Sequence, residues 1–273
     1  AARPGRGRGP GPLTPERLAD LFEGPSPDLA AALLGCRLTV QTVDGAVTVR
    51  LTETEAYGDA GVDPGAHSFR GRTPRNAALF GPQRRTYVYL NYGIHRCLNL
   101  VGHPAGQAGG VLLRSAEAVA GRELAVARRG RDTGIRLLSG PGNLGQGLGI
   151  TLGMGHADVR IAAEPPSLDA LPPLPGAPSR DGHDDGARGS AAPARFSRSD
   201  TVHPGLTSPD AAPLEPVRFV LAPPPEDERR VEVRRTPRVG VSGEGGSVRY
   251  PWRCVIEGDR SVSAYRRGRN VPD

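Results

Sequence analysis

The chain has 273 residues, of which 37% are hydrophobic, with 38 Gly, 28 Pro and a formal net charge of +6, so part of its length is expected to lie outside any packed core. All 35 basic residues are arginine; without a lysine, only the amino terminus could form a Schiff base with a sugar or carbonyl group. Cys36, Cys97 and Cys254 are widely spaced, with no CxxC pair and no adjacent histidine cluster, which argues against a zinc site or a disulfide framework. No apolar run approaches the ~18 residues of a membrane span, and no signal-peptide core opens the sequence, so a soluble, cytoplasmic protein is expected.

Residues 1–12 read as a flexible basic arm. Thr14-Pro15 and Ser26-Pro27 each look like a helix start, a cap residue followed by proline at the first helical position. The second helix would turn Leu29, Ala32, Leu33 and Leu34 inward and stop at Gly35. Alternating segments 37–43 and 47–53 flank Asp44-Gly45, a tight hairpin signal. Glu55 and Tyr57, two apart in extended chain, then share one face. Residues 58–81 read as loop, 86–92 and 95–101 as strands, and Asn91-Tyr92-Gly93 as the turn that puts Tyr92 on a projecting tip. A short strand at 111–114 and a helix at 116–128 closing on Gly130 follow, then a helical segment from Ser139-Gly140-Pro141 to Leu148. Residues 164–215, rich in Pro, Ala, Gly and Ser, read as a disordered insertion. Strands are expected again at 217–221, 229–234 and 248–256, before a basic tail of the final eight or so residues. The expected fold is α+β: a single mixed domain over residues 13–270, with a curved antiparallel sheet, surrounding helices and a protruding β-hairpin.

Chemistry concentrates between Glu53 and Arg114. Four of the six tyrosines fall between Tyr57 and Tyr92, beside two carboxylates and a run of arginines. Tyrosine faces bind planar or cationic groups, carboxylates move protons and arginines hold phosphates, so a nucleobase is the indicated target. Arg70, Arg72, Arg75, Arg84 and Arg85 could grip phosphate beside such a pocket. Gly140-Pro141-Gly142-Asn143-Leu144-Gly145 also satisfies the dinucleotide fingerprint G-x-G-x-x-G. Its required βαβ unit is missing, and Glu164, near the position of the acidic partner, sits in a proline-rich stretch; a helix N-terminus is the preferred reading.

LTETEAYGDAGVDPGAHSFRGRTPRN, then RTYVYLNYGIHRCLNLV, then GGVLLRSAEA resemble, in that order and spacing, the alkyladenine (3-methyladenine) DNA glycosylase family, across residues 38–152. A weaker echo lies in RRTPRVGVSGEGG at residues 234–246. The resemblance implies that Glu55 is the general base activating the attacking water, and that Arg114 helps position both. It implies that Tyr57 and Tyr89 face a flipped purine from either side, with His67 as a further wall. Asn99 would discriminate against the exocyclic amine of guanine, and Tyr92 would fill the gap left in the duplex. Glu53 reads as structural and Tyr87 as sheet packing. The implied partner is double-stranded DNA carrying damaged purines, bound by a monomer, with no cofactor and no metal; the setting would be bacterial and nucleoid-associated. A damage-binding relative without turnover is the alternative.

Overall fold

The computed structural model describes residues 12–177, 208–228 and 231–273. Two short helices open it, α1 (Pro15–Leu21) and α2 (Ser26–Ala32). Thr14 caps α1 as expected, its hydroxyl accepting the Arg17 amide at 3.2 Å. Ser26 does not cap α2: Pro25 holds that position, and the Ser26 hydroxyl donates to the Tyr57 carbonyl at 2.9 Å, pinning the helix to the sheet. Ala30 rather than Ala32 turns inward with Leu29, Leu33 and Leu34.

The sheet has nine strands: β1 (Arg37–Thr42), β2 (Gly45–Tyr57), β3 (Thr86–Asn91), β4 (His95–Val101), β5 (Gly110–Ala120), β6 (Val159–Ile161), β7 (Arg218–Ala222), β8 (Val233–Thr236) and β9 (Arg253–Ile256). Their order is β3-β4-β5-β2-β1-β7-β6. β2 is long enough to fork: its first half pairs with β1 and its second half with β9, which also carries β8. All pairings are antiparallel except β6 with β7, so the expected antiparallel sheet gains one parallel edge. Apolar faces of β1, β2, β5 and β7 pack with α1 and α2 into one core around Leu18, Phe22, Leu38, Leu51 and Phe219, consistent with a single α+β domain.

Several local expectations fail. Residues 116–120 continue β5 instead of starting a helix, because they complete the ladder with β2 from Ala116 opposite Leu51 to Ala120 opposite Thr48. Cross-strand pairing here outweighs the helical preference of alanine. Gly121, at φ 69°, then reverses the chain into α3 (Arg122–Arg129), which does close on Gly130. The 58–81 loop contains a 3₁₀ helix, Pro74–Phe80. α4 (Pro141–Gly147) forms where the Gly-rich motif suggested a helix. Its glycines serve packing: a Cβ on Gly145 would overlap the Arg96 carbonyl of β4, and one on Gly142 would overlap the His95 ring. No strand of the sheet directly precedes α4, so the dinucleotide reading fails.

The basic arm falls outside the described residues apart from Pro12. So does the middle of the insertion, while its two ends are packed: Gln41 donates to the Pro172 carbonyl and Arg85 to that of Ala211. Of the strand expected at 229–234, residues 229–230 lie outside the described residues and β8 begins at Val233. The expected strand at 248–256 forms only from Arg253, just beyond Pro251. The expected basic tail is instead tied down, Gly240 donating to the Arg266 carbonyl and Gly243 to that of Arg269.

Candidate active site

β2 places Glu53, Glu55 and Tyr57 on one face by its two-residue period. The neighbouring β5 supplies Arg114, whose guanidinium joins the two acids: Nε donates to Glu53 at 3.0 Å and Nη1 to Glu55 at 3.1 Å. All three side chains are nearly inaccessible. Burial opposes the Arg114 charge, but the two carboxylates outweigh it and raise its pKa, so the arginine is a permanent cation.

The acids differ in their surroundings. Glu53 accepts from five donors: Arg114, Arg253 at 2.7 Å, the Ser115 hydroxyl at 2.6 Å, and both the amide and the hydroxyl of Ser263. Burial pushes its pKa up, yet Arg114, Arg253 and these hydrogen bonds prevail and hold it below its ordinary value. With its lone pairs spoken for, Glu53 is a structural anion, as its position suggested. Glu55 accepts from fewer groups: the Tyr57 hydroxyl at 2.9 Å and Arg114 on Oε2, and the Val239 amide at 2.6 Å on Oε1. A carboxylate oxygen has two lone pairs, so Oε1 retains capacity to accept from a water.

The three partners of Glu55 all line a cavity of about 680 Å³, and the carboxylate stands directly behind that wall. His67, Tyr89, Asn99 and Tyr92 line the same cavity, so all the predicted site residues gather in one place. Tyr57 is half-buried where it opens onto the cavity; burial of its hydroxyl end first, then Glu55, raises its pKa, keeping the phenol protonated and donating to Glu55. His67 packs edge-on to Tyr89, with ring centroids 4.6 Å apart. The His67 ring is exposed where it opens onto the cavity. Desolvation, with Arg75 second, lowers its pKa from 6.5 to about 4, leaving an uncharged wall at neutral pH. Asn99, on β4, spends its amide N–H groups on the Tyr87 and Cys97 carbonyls, which fixes its side chain as part of the wall.

Tyr92 occupies the β3–β4 turn at φ 50°, followed by Gly93 at φ 71°, and is 86% exposed beside Ile94 at 68%. A bulky residue held in the left-handed region at a turn is uncommon, and the tight reversal requires it. Arg70, Arg72, Arg75 and Arg84 are exposed, whereas Arg85 pairs with Asp158 at 3.2 Å. Among the described residues, no group of three or more His, Cys, Asp and Glu side chains could hold a metal ion.

Tyr87, expected only to pack, does more. Its hydroxyl meets His67 Nδ1 at 2.9 Å, its ring stacks on Tyr89, and it lines the cavity. Sequence reasoning missed Arg238 altogether. Wholly buried, it forms a two-pronged ion pair with Asp63, both contacts at 2.6 Å, and lies over the Tyr57 ring, 4.7 Å from its centroid. It also missed Arg253, Ser263 and the Val239 amide. The only signal for any of these was the short TPRVG echo, because backbone donors and distant sequence partners leave no spacing pattern.

A buried acid and arginine and a half-buried tyrosine stand at the back of an aromatic cavity, with an exposed tyrosine at its mouth. The methylpurine-DNA glycosylase family model matches residues 20–176, and the chain belongs to that family. It is 36% identical to a protein of Leifsonia xyli provisionally named a 3-methyladenine DNA glycosylase, over 91% of this chain and 92% of that protein. A protein of the same provisional name from Streptomyces avermitilis is 36% identical over 93% of this chain and 92% of its own length. One from Corynebacterium glutamicum is 50% identical over half of this chain and 71% of that protein. Membership places the chain among the DNA glycosylases of alkylation-damage repair.

Proposed function

We propose that this protein is a monofunctional glycosylase that flips alkylated or deaminated purines, of the 3-methyladenine, 7-methylguanine and hypoxanthine class, out of duplex DNA and hydrolyses the N-glycosidic bond. The observation that carries the proposal is the Glu55 carboxylate, buried behind the cavity wall and held by Arg114, Tyr57 and Val239 with an oxygen still able to accept from water. Glu55 takes a proton from a water as its oxygen bonds to the anomeric carbon; the C–N bond breaks, and its electron pair leaves with the base. In a purine alkylated at N3 or N7 that pair neutralises a positive charge, which makes the base a good leaving group. The same charge favours stacking against tyrosine faces, and an uncharged His67 does not repel it. The Glu55 carboxylate behind the cavity wall favours the developing oxocarbenium-like sugar. The products are a free base and an abasic site.

Absence of lysine supports simple hydrolysis without strand cleavage. We also propose that the protein acts as a monomer on double-stranded DNA in the bacterial cytoplasm, associated with the nucleoid. Incubating it with duplexes holding a single hypoxanthine or 7-methylguanine, then treating them with alkali, tests the reading. Strand breaks are expected only after alkali, and Glu55→Gln is expected to slow their formation by about 10²–10⁴-fold. Tight binding without abasic product would point to a damage-binding protein. Breaks without alkali would exclude the monofunctional reaction.

A further inference from the structure

The loop that delivers the Val239 amide to Glu55 makes few bonds to the sheet and is wedged between two other segments. On one side lies Gly65, where a Cβ on Gly245 would overlap the Gly65 backbone. On the other lies the 263–271 segment. There Gly240 donates to the Arg266 carbonyl at 2.8 Å and Gly243 to the Arg269 carbonyl at 2.9 Å. Gly268 sits so close that a Cβ on it would overlap the Val241 carbonyl, and Val271 reaches toward Gly246. The same segment begins at Ser263, which gives Glu53 two of its five hydrogen bonds.

From these contacts we infer that the 263–271 segment is a positioning element for catalysis: it presses the 239–246 loop into place and so holds the Val239 amide on Glu55. This inference rests on Glu55 being the general base. A carboxylate that must accept a proton from one water needs a fixed orientation, and one of its three donors is a backbone amide that only the loop's path can place. Arg238, next to Val239, is already rigid through Asp63, so displacement of the loop by the 263–271 segment would fall on residues 239–243. Ser263, Ala264 and Arg266 of the segment line the cavity, whereas Gly268 and Val271, which press on the loop, do not; these two act through Val239.

Gly268→Ala in the full chain is the direct test. Gly268 does not have a positive φ, so alanine strains nothing but the close approach to Val241. Single-turnover cleavage of a hypoxanthine duplex is expected to slow about tenfold or more, while the Kd for the same duplex stays within about twofold. In a Glu55→Gln background the additional effect of Gly268→Ala is expected to vanish, because Gly268, which lies outside the cavity lining, bears on the reaction only through that carboxylate. Val271→Ala, which loosens the contact without overpacking, is expected to give a smaller loss in the same rate and covers the case in which Gly268→Ala does not fold. A folded Gly268→Ala with the parental rate, a loss that remains additive on Glu55→Gln, or a Val271→Ala that weakens binding without slowing cleavage would overturn the inference. If instead Glu55→Gln cleaves at the parental rate, the general-base assignment fails, a result read from that variant alone.

Discussion

At the scale of single residues, two glutamates two positions apart take different work from their neighbours. Glu53 is saturated by five donors, and Glu55 keeps room for a water. The sequence could show that both share a face; it could not show that Arg253 and Ser263, 200 and 210 positions away, close around only one of them. Tyr92 is the opposite case, legible because a tyrosine in a turn between two strands has nowhere to pack. Being 86% exposed, it contributes little to stability, so Tyr92→Ala is expected to leave the unfolding midpoint unchanged within about 0.5 kcal/mol. On the proposal that Tyr92 is the wedge that occupies the vacated stack, its loss should weaken binding to lesion-containing duplex by roughly 1–3 kcal/mol. Fluorescence anisotropy with matched and hypoxanthine duplexes would report it. An equal affinity for the lesion duplex would remove Tyr92 from the flipping step.

Among the elements, those with local causes were readable. The β1–β2 hairpin came from alternation around Asp44-Gly45, the β3–β4 hairpin from Asn91-Tyr92-Gly93, and α4 from Pro141 behind Gly140. Those decided by partners were not. The far half of β5 looked helical because Ala116, Ala118 and Ala120 favour helices in isolation, and only β2 alongside makes them a strand. The three-residue β6 has too few positions for a period and exists because β7 pairs with it. The glycines of α4 do mark a helix start, but the sequence does not show that Gly142 and Gly145 also serve closeness to β4. That closeness can be tested. Gly145→Ala would drive a methyl into the Arg96 carbonyl, separating α4 from the hairpin that carries Tyr92 and Asn99. A destabilisation of about 1–3 kcal/mol in urea unfolding is expected, as for other overpacked sites, with weaker lesion binding alongside. Unchanged stability would mean that α4 can shift freely, and its glycines would need another explanation.

For the molecule as a whole, buried ionisable groups set a window of pH rather than a single optimum. Glu53 titrates below its ordinary 4.5 in the folded chain. The unfolded chain therefore takes up that proton first as pH falls, and the stability Glu53 contributes, present above about 4.5, is lost as pH drops through its folded value. Cys36 bounds the other side: burial raises its thiol pKa from 9.0 to about 12, with Arg37 only partly opposing. Here the folded chain keeps the proton longer, so the contribution is whole below pH 9.0 and is lost as pH rises toward 12. Urea midpoints should thus hold level between about pH 7 and 9 and fall on both sides. The acid limb opens near 6.5, where the unfolded His67 takes up a proton that the folded ring, at about 4, does not. Cys36→Ala is expected to make the alkaline limb shallower, with Cys97 and Cys254, each raised by burial from 9.0 to about 11, retaining the rest, while lowering the plateau through the lost sulfur contacts. Glu53→Gln is expected to make the lower part of the acid limb shallower, with His67, Asp44 and Asp259 retaining the rest, at a plateau cost of about 3–5 kcal/mol for leaving Arg114 and Arg253 without their shared anion. Because β2, β5, β9 and the 263–271 segment all meet at Glu53, acid that discharges it should loosen the sheet and the site together. Cleavage activity and near-ultraviolet dichroism should then fail at the same pH, and a form that loses activity well above its unfolding transition would show that another group titrates first.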